Sequence, residues 1–304
     1  QGTRYKVQGT RIKVQGTRSK DKTHFLPCSF HLEPCTCFYM WIDELRIARK
    51  DKLIGREIRF FPEIDSTNRE AHDLARQGAR EGTVVMADSQ SRGKGRLGRA
   101  WESPAGLNVY SSFILKPPIP ASTAPQLTLL AGVAAARALT GASGLDVRIK
   151  WPNDIFVNGR KLAGILAEME AEGQRAGFVV LGIGINVNWR KEDFPPDLQE
   201  TATSVRVESG KEVSRVAIAE RLFQELEEAY LRFLREGFSP RLREDWNRLS
   251  WINGKRVVVI GPDGEVPGRA LGLDIDGALL LVDEEGRTRR FVAGEVSLRR
   301  METD

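Results

Sequence analysis

Residues 90–101 read Gln-Ser-Arg-Gly-Lys-Gly-Arg-Leu-Gly-Arg-Ala-Trp, a stretch that interleaves cations with glycines and holds no acid. Glycine lets backbone N–H groups turn toward a ligand, and the cations favour an anion such as a phosphate. Because the cations repel one another and bury little apolar surface, we expect this loop to be mobile until it binds an anion. The stretch therefore predicts a functional loop.

The glycines of this loop match the spacing of the dinucleotide-binding fingerprint, but their surroundings do not. That fingerprint lies between a strand and a helix whose N-terminus faces the pyrophosphate. Here Pro104 and Gly106 follow the loop and prevent a helix of useful length. The sequence therefore argues against a Rossmann fold.

Composition and charge narrow the class of protein. The 304 residues are 41% hydrophobic and 29% charged, which is typical of a soluble globular protein with two or three domains. No apolar run approaches the ~20 residues that a membrane span requires. The net charge of +5 is carried entirely by residues 1–39. Because the rest of the chain is neutral, its charge predicts neither a nucleic-acid nor a membrane partner.

Residues 1–39 differ from the rest of the chain. They repeat the motif Gln-Gly-Thr-Arg and hold all three cysteines and two of the three histidines. Their spacing fits no standard zinc pattern, and a basic transit peptide is an alternative. We interpret the segment as a leader, disordered or a spurious extension, before a domain that begins at Met40. Without it the chain has no cysteine, as expected in the reducing cytoplasm.

Hydrophobic periodicity predicts an α+β domain over residues 40–250 and a small β-barrel over residues 251–304. Residues 41–59 show no clear pattern. Predicted strands cover Thr83–Ser89, Asn108–Leu115, Val147–Lys150, Ile155–Val157, Leu162–Met169 and Phe178–Val187, followed in the barrel by Arg256–Ile260, Gly268–Leu273, Ala278–Val282 and Thr288–Ala293. Two helices are predicted to begin after the capping residues Ser66 and Ser214. Two more are predicted over Ser122–Leu139 and Pro240–Leu249.

Three more motifs place polar or small residues at predicted strand ends. In Lys150-Trp-Pro-Asn-Asp154, the amide of Asn153 suits a base edge, although an Asx turn explains it equally. Lys161 stands at the start of an apolar strand. If that strand lies at a sheet edge, the lysine protects the edge, and if the strand is central, the lysine needs an anionic ligand. Gly182-Ile-Gly-Ile-Asn186 allows a flat ligand to approach closely, and a bulge explains it as well.

Other chemistries find little support. Outside the leader the only histidine is His72, which leaves little for a histidine-based triad or a metal cage. The chain also lacks the Gly-x-x-x-x-Gly-Lys-Ser/Thr motif of P-loop enzymes.

Taken in order, the motifs resemble those of biotin protein ligases. The resemblance rests on Asp65-Ser-Thr-Asn68, Gln90 with Gly93-Lys-Gly-Arg-Leu-Gly-Arg99 and Trp101, Lys150–Asp154 with Lys161–Leu166, and Gly182–Asn186. It implies a mixed-sheet catalytic domain of the biotin/lipoate ligase type with helices on one side, followed by a small SH3-like β-barrel. Gly277-Ala-Leu-Leu-Leu and Gly294-Glu-Val-Ser-Leu resemble that barrel.

The resemblance implies an ATP-dependent ligase that acts in two steps with Mg²⁺. Biotin's carboxylate attacks the α-phosphate of ATP, which gives biotinyl-5′-adenylate and pyrophosphate. A lysine of a biotin carboxyl carrier domain, from acetyl-CoA carboxylase or a related carboxylase, then attacks this adenylate. The implied enzyme is cytoplasmic, and the resemblance allows a homodimer that pairs along a sheet edge.

Site residues follow from the resemblance position by position. The biotin-binding residues would be Ser66, Thr67, Asn68, Gln90, Lys94, Gly95, Arg96 and Lys161. The ATP- or adenylate-binding residues would be Arg96, Arg99, Trp101, Asn153 and Asn186. Arg96, Arg99 and Lys161 would be catalytic, since positioned cations stabilise charge that develops at phosphorus, and no residue is assigned as a metal ligand. Two residues depart from the family pattern. Lys94 occupies a position that is commonly arginine in the family, and Arg92 occupies a position that is usually a small residue.

Three alternatives remain at this point. A biotin-binding module without chemistry would keep the pocket but would need no anion-binding loop. A lipoate ligase would share the fold, although Gln90 and Lys150–Asp154 favour biotin. Some relatives also repress transcription through an N-terminal winged helix, for which residues 40–58 leave no room. We therefore expect a ligase without repressor activity.

Overall fold

The structure, a computed structural model, describes residues 40–261, 264–292 and 294–297. The predicted leader, residues 1–39, lies outside the described residues. The helices are α1 (Met40–Arg49), α2 (Thr67–Arg76), α3 (Gln126–Ser143), α4 (Val205–Ser209), α5 (Arg215–Glu236) and α6 (Pro240–Leu249). None of these helices combines the length and apolarity that a membrane crossing needs.

Twelve strands form two sheets among the described residues. The strands are β1 (Ile58–Ile64), β2 (Val84–Gln90), β3 (Val109–Leu115), β4 (Arg148–Lys150), β5 (Asp154–Val157), β6 (Arg160–Glu172), β7 (Arg175–Ile185), β8 (Arg256–Gly261), β9 (Gly264–Leu273), β10 (Leu279–Asp283), β11 (Thr288–Phe291) and β12 (Glu295–Ser297). The first seven form one sheet in the order β1-β2-β3-β7-β6-β5-β4.

This seven-stranded sheet is mixed, which confirms the predicted fold class. β1 pairs with β2 in parallel, and all other neighbours are antiparallel. All seven residues of β3 are buried, as expected of an apolar strand covered on both faces. β6 lies between β5 and β7, so Lys161 starts an interior strand.

The helices cover both faces of this sheet, so the expectation that they lie on one side was wrong. α3 and α5 pack on one face, where the rings of Phe113 in β3 and Phe223 in α5 are 5.1 Å apart. α2 packs on the other face, where Ala71 belongs to a buried cluster with Val85 and Ile114. Successive residues of a strand point to opposite faces, so the alternating apolar residues of β2 and β3 serve two cores.

Two elements form where the sequence pattern predicts none. α1 buries Ile42 and Leu45 in the core shared with α3 and α5. Arg49 at its end forms a 2.6 Å ion pair with Glu227 of α5. β1 follows and pairs with β2. Both elements depend on tertiary partners far along the chain, which local periodicity does not reveal.

The C-terminal strands form a five-stranded antiparallel sheet in the order β11-β10-β9-β8-β12. This confirms the predicted small all-β unit. Asn247 at the end of α6 connects it to the first sheet, since its Oδ1 accepts a 2.9 Å hydrogen bond from the Leu273 N–H. Gly294 and Glu295, which precede and begin β12, reach the glycine- and cation-rich loop of residues 90–101.

Candidate active site

The candidate site lies on the α2 face of the sheet, above glycines of β6 and β7. A Cβ atom on Gly182 would stand 2.0 Å from Oδ1 of Asn68, and one on Gly184 would stand 2.5 Å from Nε1 of Trp101. Both distances are too short for any real contact, so these positions require glycine. The sequence predicted the close approach of a backbone or a flat ligand here, and in the structure the side chains of Asn68 and Trp101 make that approach.

An inner pocket opens beside Asn68. Ten of the residues that the resemblance assigns to ligands line it: Ser66, Thr67, Asn68, Gln90, Lys94, Gly95, Arg96, Trp101, Asn153 and Lys161. Apolar residues such as Ile165 and Ile183 complete its wall. The structure thus brings together residues from five separate stretches of the chain.

Uncharged polar groups form the deep part of the inner pocket. Gln90 Oε1 accepts hydrogen bonds from the Thr67 N–H at 2.8 Å and from the Thr67 hydroxyl at 3.1 Å. Gln90 Nε2 donates to the Ser103 hydroxyl at 2.9 Å, which leaves its second hydrogen for a ligand. Ser66 is the N-cap residue of α2, as predicted, but its side chain makes no capping hydrogen bond, and the residue lines the inner pocket.

Asn68 is 4% exposed and its amide is held from two sides. Its Nδ2 donates to Glu168 Oε2 at 2.8 Å and to the Leu166 carbonyl at 3.3 Å. The Ser112 hydroxyl lies 2.6 Å from its Oδ1. This arrangement fixes which amide atom is an acceptor.

Residues 90–101, called the lid from here on, fold back as a short hairpin. The Trp101 N–H donates to the Gly93 carbonyl at 2.9 Å, and the Gly95 N–H donates to the Arg99 carbonyl at 2.7 Å. At the tip, Leu97 has a φ of +55° and is 74% exposed. The mobility expected for the lid in the absence of a ligand stays a prediction.

The lid cations contact oxygens of the protein itself. Arg96 donates to Asn153 Oδ1 at 3.0 Å and to the Gly294 carbonyl at 3.4 Å. Arg99 pairs with Glu295 at 2.9 Å, and Lys94 lies 3.8 Å from Glu168. The last two pairs are solvent-exposed, and such pairs contribute only about 0–1 kcal/mol each. An anionic ligand could therefore displace them at little cost.

A larger outer pocket adjoins the inner one. Its charged lining consists of four cations and three carboxylates: Arg96, Arg99, Lys150, Lys161, Glu102, Asp154 and Glu295. Lys161 Nζ lies 2.6 Å from Asp154 Oδ1. This carboxylate is a partner within the protein that the sequence pattern around Lys161 did not reveal. Stacked rings of Trp189 and Phe194, 4.6 Å apart, form an apolar wall.

Two groups in the outer pocket are poorly compensated. Burial lowers the pKa of Lys150 below its ordinary value of 10.5, although the negative charge of Asp154 opposes this. The Trp101 Nε1–H is buried and has no hydrogen-bond partner among the described residues. Trp101 lines both pockets, and Lys161 Nζ lies 5.3 Å from the centre of its ring.

The predicted site residue Asn186 and the unassigned residue Arg92 lie at the margins of the site. Asn186 lines the outer pocket, where its Nδ2 donates to the Thr203 carbonyl at 3.1 Å. Arg92 is exposed on the lid, and its side chain has no hydrogen bond or ion pair with the described residues. The described residues also contain no cluster of three His, Cys, Asp or Glu side chains that could hold a metal.

Sequence reasoning missed several residues of the site. Tyr110 lines the inner pocket, and burial raises the pKa of its hydroxyl, which therefore stays neutral. Ser112 and Glu168 hold Asn68, and Glu295 holds Arg99. No local motif marks these positions, because they contact the site only through pairing of β3, β6 and β7 and through the return of the chain at β12.

Comparison with known proteins gives consistent matches. Residues 60–186 match the model of the Biotin/lipoate A/B protein ligase family, and residues 253–299 match the Biotin protein ligase C terminal domain. The chain is 40% identical over 250 residues to the Bifunctional ligase/repressor BirA of Bacillus spizizenii, covering 82% of this chain and 77% of that protein. It is 35% identical over 258 residues to the Biotin--[acetyl-CoA-carboxylase] ligase of Mycobacterium tuberculosis, covering 81% of this chain and 92% of that protein.

Solved structures give the same result. The chain aligns with the biotin protein ligase from Aquifex aeolicus in complex with biotin and ATP, with a TM-score of 0.70 and 30% identity. This alignment covers 81% of this chain and 99% of the Aquifex chain.

Proposed function

This chain belongs to the biotin protein ligase family, and from that premise we propose that it activates biotin as biotinyl-5′-adenylate and transfers it to a carrier lysine. The observation that carries the proposal is the junction of the two pockets. An inner pocket lined with neutral polar groups opens into a cationic outer pocket, and five residues line both: Gly95, Arg96, Trp101, Asn153 and Lys161. At this junction the carboxylate of an acid whose neutral ring lies in the inner pocket would be next to the phosphate of a nucleotide in the outer pocket.

The inner pocket suits the ureido ring of biotin. That ring is uncharged and offers one carbonyl oxygen and two N–H groups. Gln90 Nε2 has a free hydrogen for the carbonyl, whereas Asn68 Oδ1 and the Ser66 hydroxyl can accept from N–H groups. The dithiolane ring of lipoate has no N–H or carbonyl and would leave these buried groups unpaired, which is costly. The pocket therefore favours biotin over lipoate.

The junction suits the first reaction step. A carboxylate oxygen of biotin attacks the α-phosphorus of ATP, the bond to the bridging oxygen breaks, and pyrophosphate leaves. Arg96 and Lys161 border the junction, held by Asn153 and Asp154 respectively. Cations positioned in advance stabilise the charge that develops on the phosphoryl oxygens. Lys94 and Gly95 lie on the inner side, close to the expected carboxylate.

The outer pocket suits the nucleotide. The Trp101 indole is proposed to cover the adenine, with Asn153 and Asn186 on the nucleotide side and Arg99 near the departing pyrophosphate. The similar Aquifex aeolicus protein has a structure in complex with both biotin and ATP, which supports the proposal of one site for each ligand. Mg²⁺ would enter with the triphosphate, since it binds phosphates with one or two carboxylates and several waters. Asp154 is one such carboxylate in this pocket.

In the second step the lysine amine of the carrier attacks the acyl carbon of the adenylate, and AMP leaves with the electron pair of the broken acyl–phosphate bond. The lid covers the junction and would shield the mixed anhydride from water until the carrier arrives. By analogy with the Mycobacterium tuberculosis relative, the acceptor is proposed to be the carrier domain of acetyl-CoA carboxylase or a related carboxylase.

Transfer of radiolabelled biotin tests this proposal. The chain is incubated with labelled biotin, ATP, Mg²⁺ and a biotin carboxyl carrier domain, beside a carrier whose acceptor lysine is replaced by arginine. We expect label on the native carrier, none on the arginine variant, and none without ATP. Absence of label from the native carrier, with biotin and ATP in excess, would contradict the transfer step.

A further inference from the structure

We propose that Glu168 is a positioning residue for biotin binding, because it holds the Asn68 amide with its oxygen left to receive a hydrogen bond from the substrate. This inference rests on the proposed function, which places the ureido ring beside Asn68. It adds a residue that no motif of the chain contains and that does not itself line the inner pocket.

The contacts of Asn68 determine its orientation. The two Nδ2 hydrogens are directed at Glu168 Oε2, 2.8 Å away, and at the Leu166 carbonyl, 3.3 Å away. If the amide were turned over, Oδ1 would face a carboxylate and a carbonyl, both of which only accept hydrogen bonds. Because Asn68 is 4% exposed, water has little access to compensate this repulsion.

Glu168 contributes more to this orientation than the other two neighbours of Asn68. The Leu166 carbonyl is neutral and its hydrogen bond is long at 3.3 Å. The Ser112 hydroxyl, 2.6 Å from Oδ1, can donate or accept and therefore tolerates either orientation. Glu168 supplies the charged acceptor, and hydrogen bonds to ionised groups are shorter and stronger than neutral ones.

The geometry of β6 explains why a glutamate at this position reaches the site. Alternate residues of a strand share a face, so Gly164, Leu166 and Glu168 all point toward α2. Glu170, the next residue on this face, lies beyond the pocket and pairs with Arg76 at 2.6 Å. Glu168 is thus the last residue of this row that contacts Asn68, a proposed biotin-binding residue, and Glu170 is its matched control.

The test measures biotin-dependent exchange of pyrophosphate into ATP for four proteins: the native chain, Glu168→Ala, Glu168→Gln and Glu170→Ala. We expect Glu168→Ala to raise the KM for biotin about tenfold, with the KM for ATP unchanged, because both partners of Glu168, the Asn68 amide and the more distant Lys94, lie on the biotin side of the site. Glu168→Gln retains an acceptor oxygen for Asn68 Nδ2 and should lie within about threefold of the native KM, since neutral acceptors bond more weakly. Glu170→Ala should behave like the native chain.

Several results would overturn the inference. These are a native KM for biotin in Glu168→Ala, an equal rise in the KM for ATP, or a loss in Glu168→Gln as large as in Glu168→Ala. Thermal unfolding shows whether each variant is folded. If Glu168→Ala fails to fold, Glu168→Met replaces it, because methionine keeps the bulk of the side chain but not the acceptor oxygen. Failure of the proposed function is distinguishable, because the native chain itself would then show no biotin-dependent exchange.

Discussion

The indole of Trp101 lies directly on Gly184, and a Cβ atom at position 184 would stand 2.5 Å from its Nε1. Trp101 can take this place only because β7 has no side chain there. Since Trp101 borders both pockets, the glycine determines where the inner and outer pockets meet.

Gly184→Ala should therefore displace the indole and disturb both substrates. Overpacking of this kind costs about 1–3 kcal/mol, so we expect KM for biotin and for ATP to rise together by about tenfold or more. Tryptophan emission should also change, and a Trp101→Phe background should remove that change. Gly141→Ala is the control, since its Cβ would meet only the flexible end of Arg221 at 3.4 Å. Native kinetics and native emission in Gly184→Ala would contradict the placement of Trp101.

Gly182→Ala should affect biotin alone. Its Cβ would stand 2.0 Å from Asn68 Oδ1 and force this side chain out of the inner pocket, whereas the outer pocket has no contact with Asn68. We expect KM for biotin to rise by about tenfold or more and KM for ATP to stay native, given the cost of overpacking. Isothermal titration with each ligand measures the two effects separately. An equal loss of ATP affinity would show that the two pockets are not separable in this way.

Arg96→Gly should release the adenylate from the closed site. Arg96 joins the lid to Asn153 and to the Gly294 carbonyl, and glycine removes both bonds together with the charge at the junction. Free biotinyl-5′-adenylate acylates exposed lysines, so an unrelated protein such as serum albumin should become labelled. Arg92→Gly on the same lid is the control, because the Arg92 side chain has no partner among the described residues. Labelling of albumin at the native level would refute the retention role of Arg96.

Lys150 should make stability depend on pH. Burial lowers the pKa of the Lys150 amine in the folded chain below its ordinary value of 10.5. At neutral pH the buried protonated amine therefore destabilises the folded chain relative to the unfolded chain. This destabilisation is fully present below the folded pKa and disappears as pH rises through the folded pKa toward 10.5. The stability gained in Lys150→Met should therefore be largest near pH 7 and shrink on alkalinisation, as measured by urea unfolding at several pH values. A difference that does not vary with pH would contradict the shift.

The ordered motifs let the sequence predict much of the site. Gly182 and Gly184 indicate a close approach at β7, and the cations and glycines of residues 90–101 predict a functional loop. The structure brings Gln90, Lys94 and Arg96 of that loop together with Asn68. These residues carry local signals, because tight approach requires glycine and an anion-binding loop concentrates cations.

What the sequence could not predict depends on contacts distant in the chain. The partner of Arg99 is Glu295, almost two hundred residues away. The parallel pairing of β1 with β2 and the position of α2 opposite α3 likewise follow from sheet order. Periodicity reports that a strand is buried on both faces but does not say which helix covers each face.

Exchange of labelled pyrophosphate into ATP, with biotin or lipoate as the only acid, tests the central claim most directly. It isolates acid activation from carrier recognition and compares a ureido ring with a dithiolane in the same pocket. We predict exchange that requires biotin and is abolished in Lys161→Ala, because the junction then lacks one of its two cations. Exchange with lipoate alone, or none with either acid, would contradict the account.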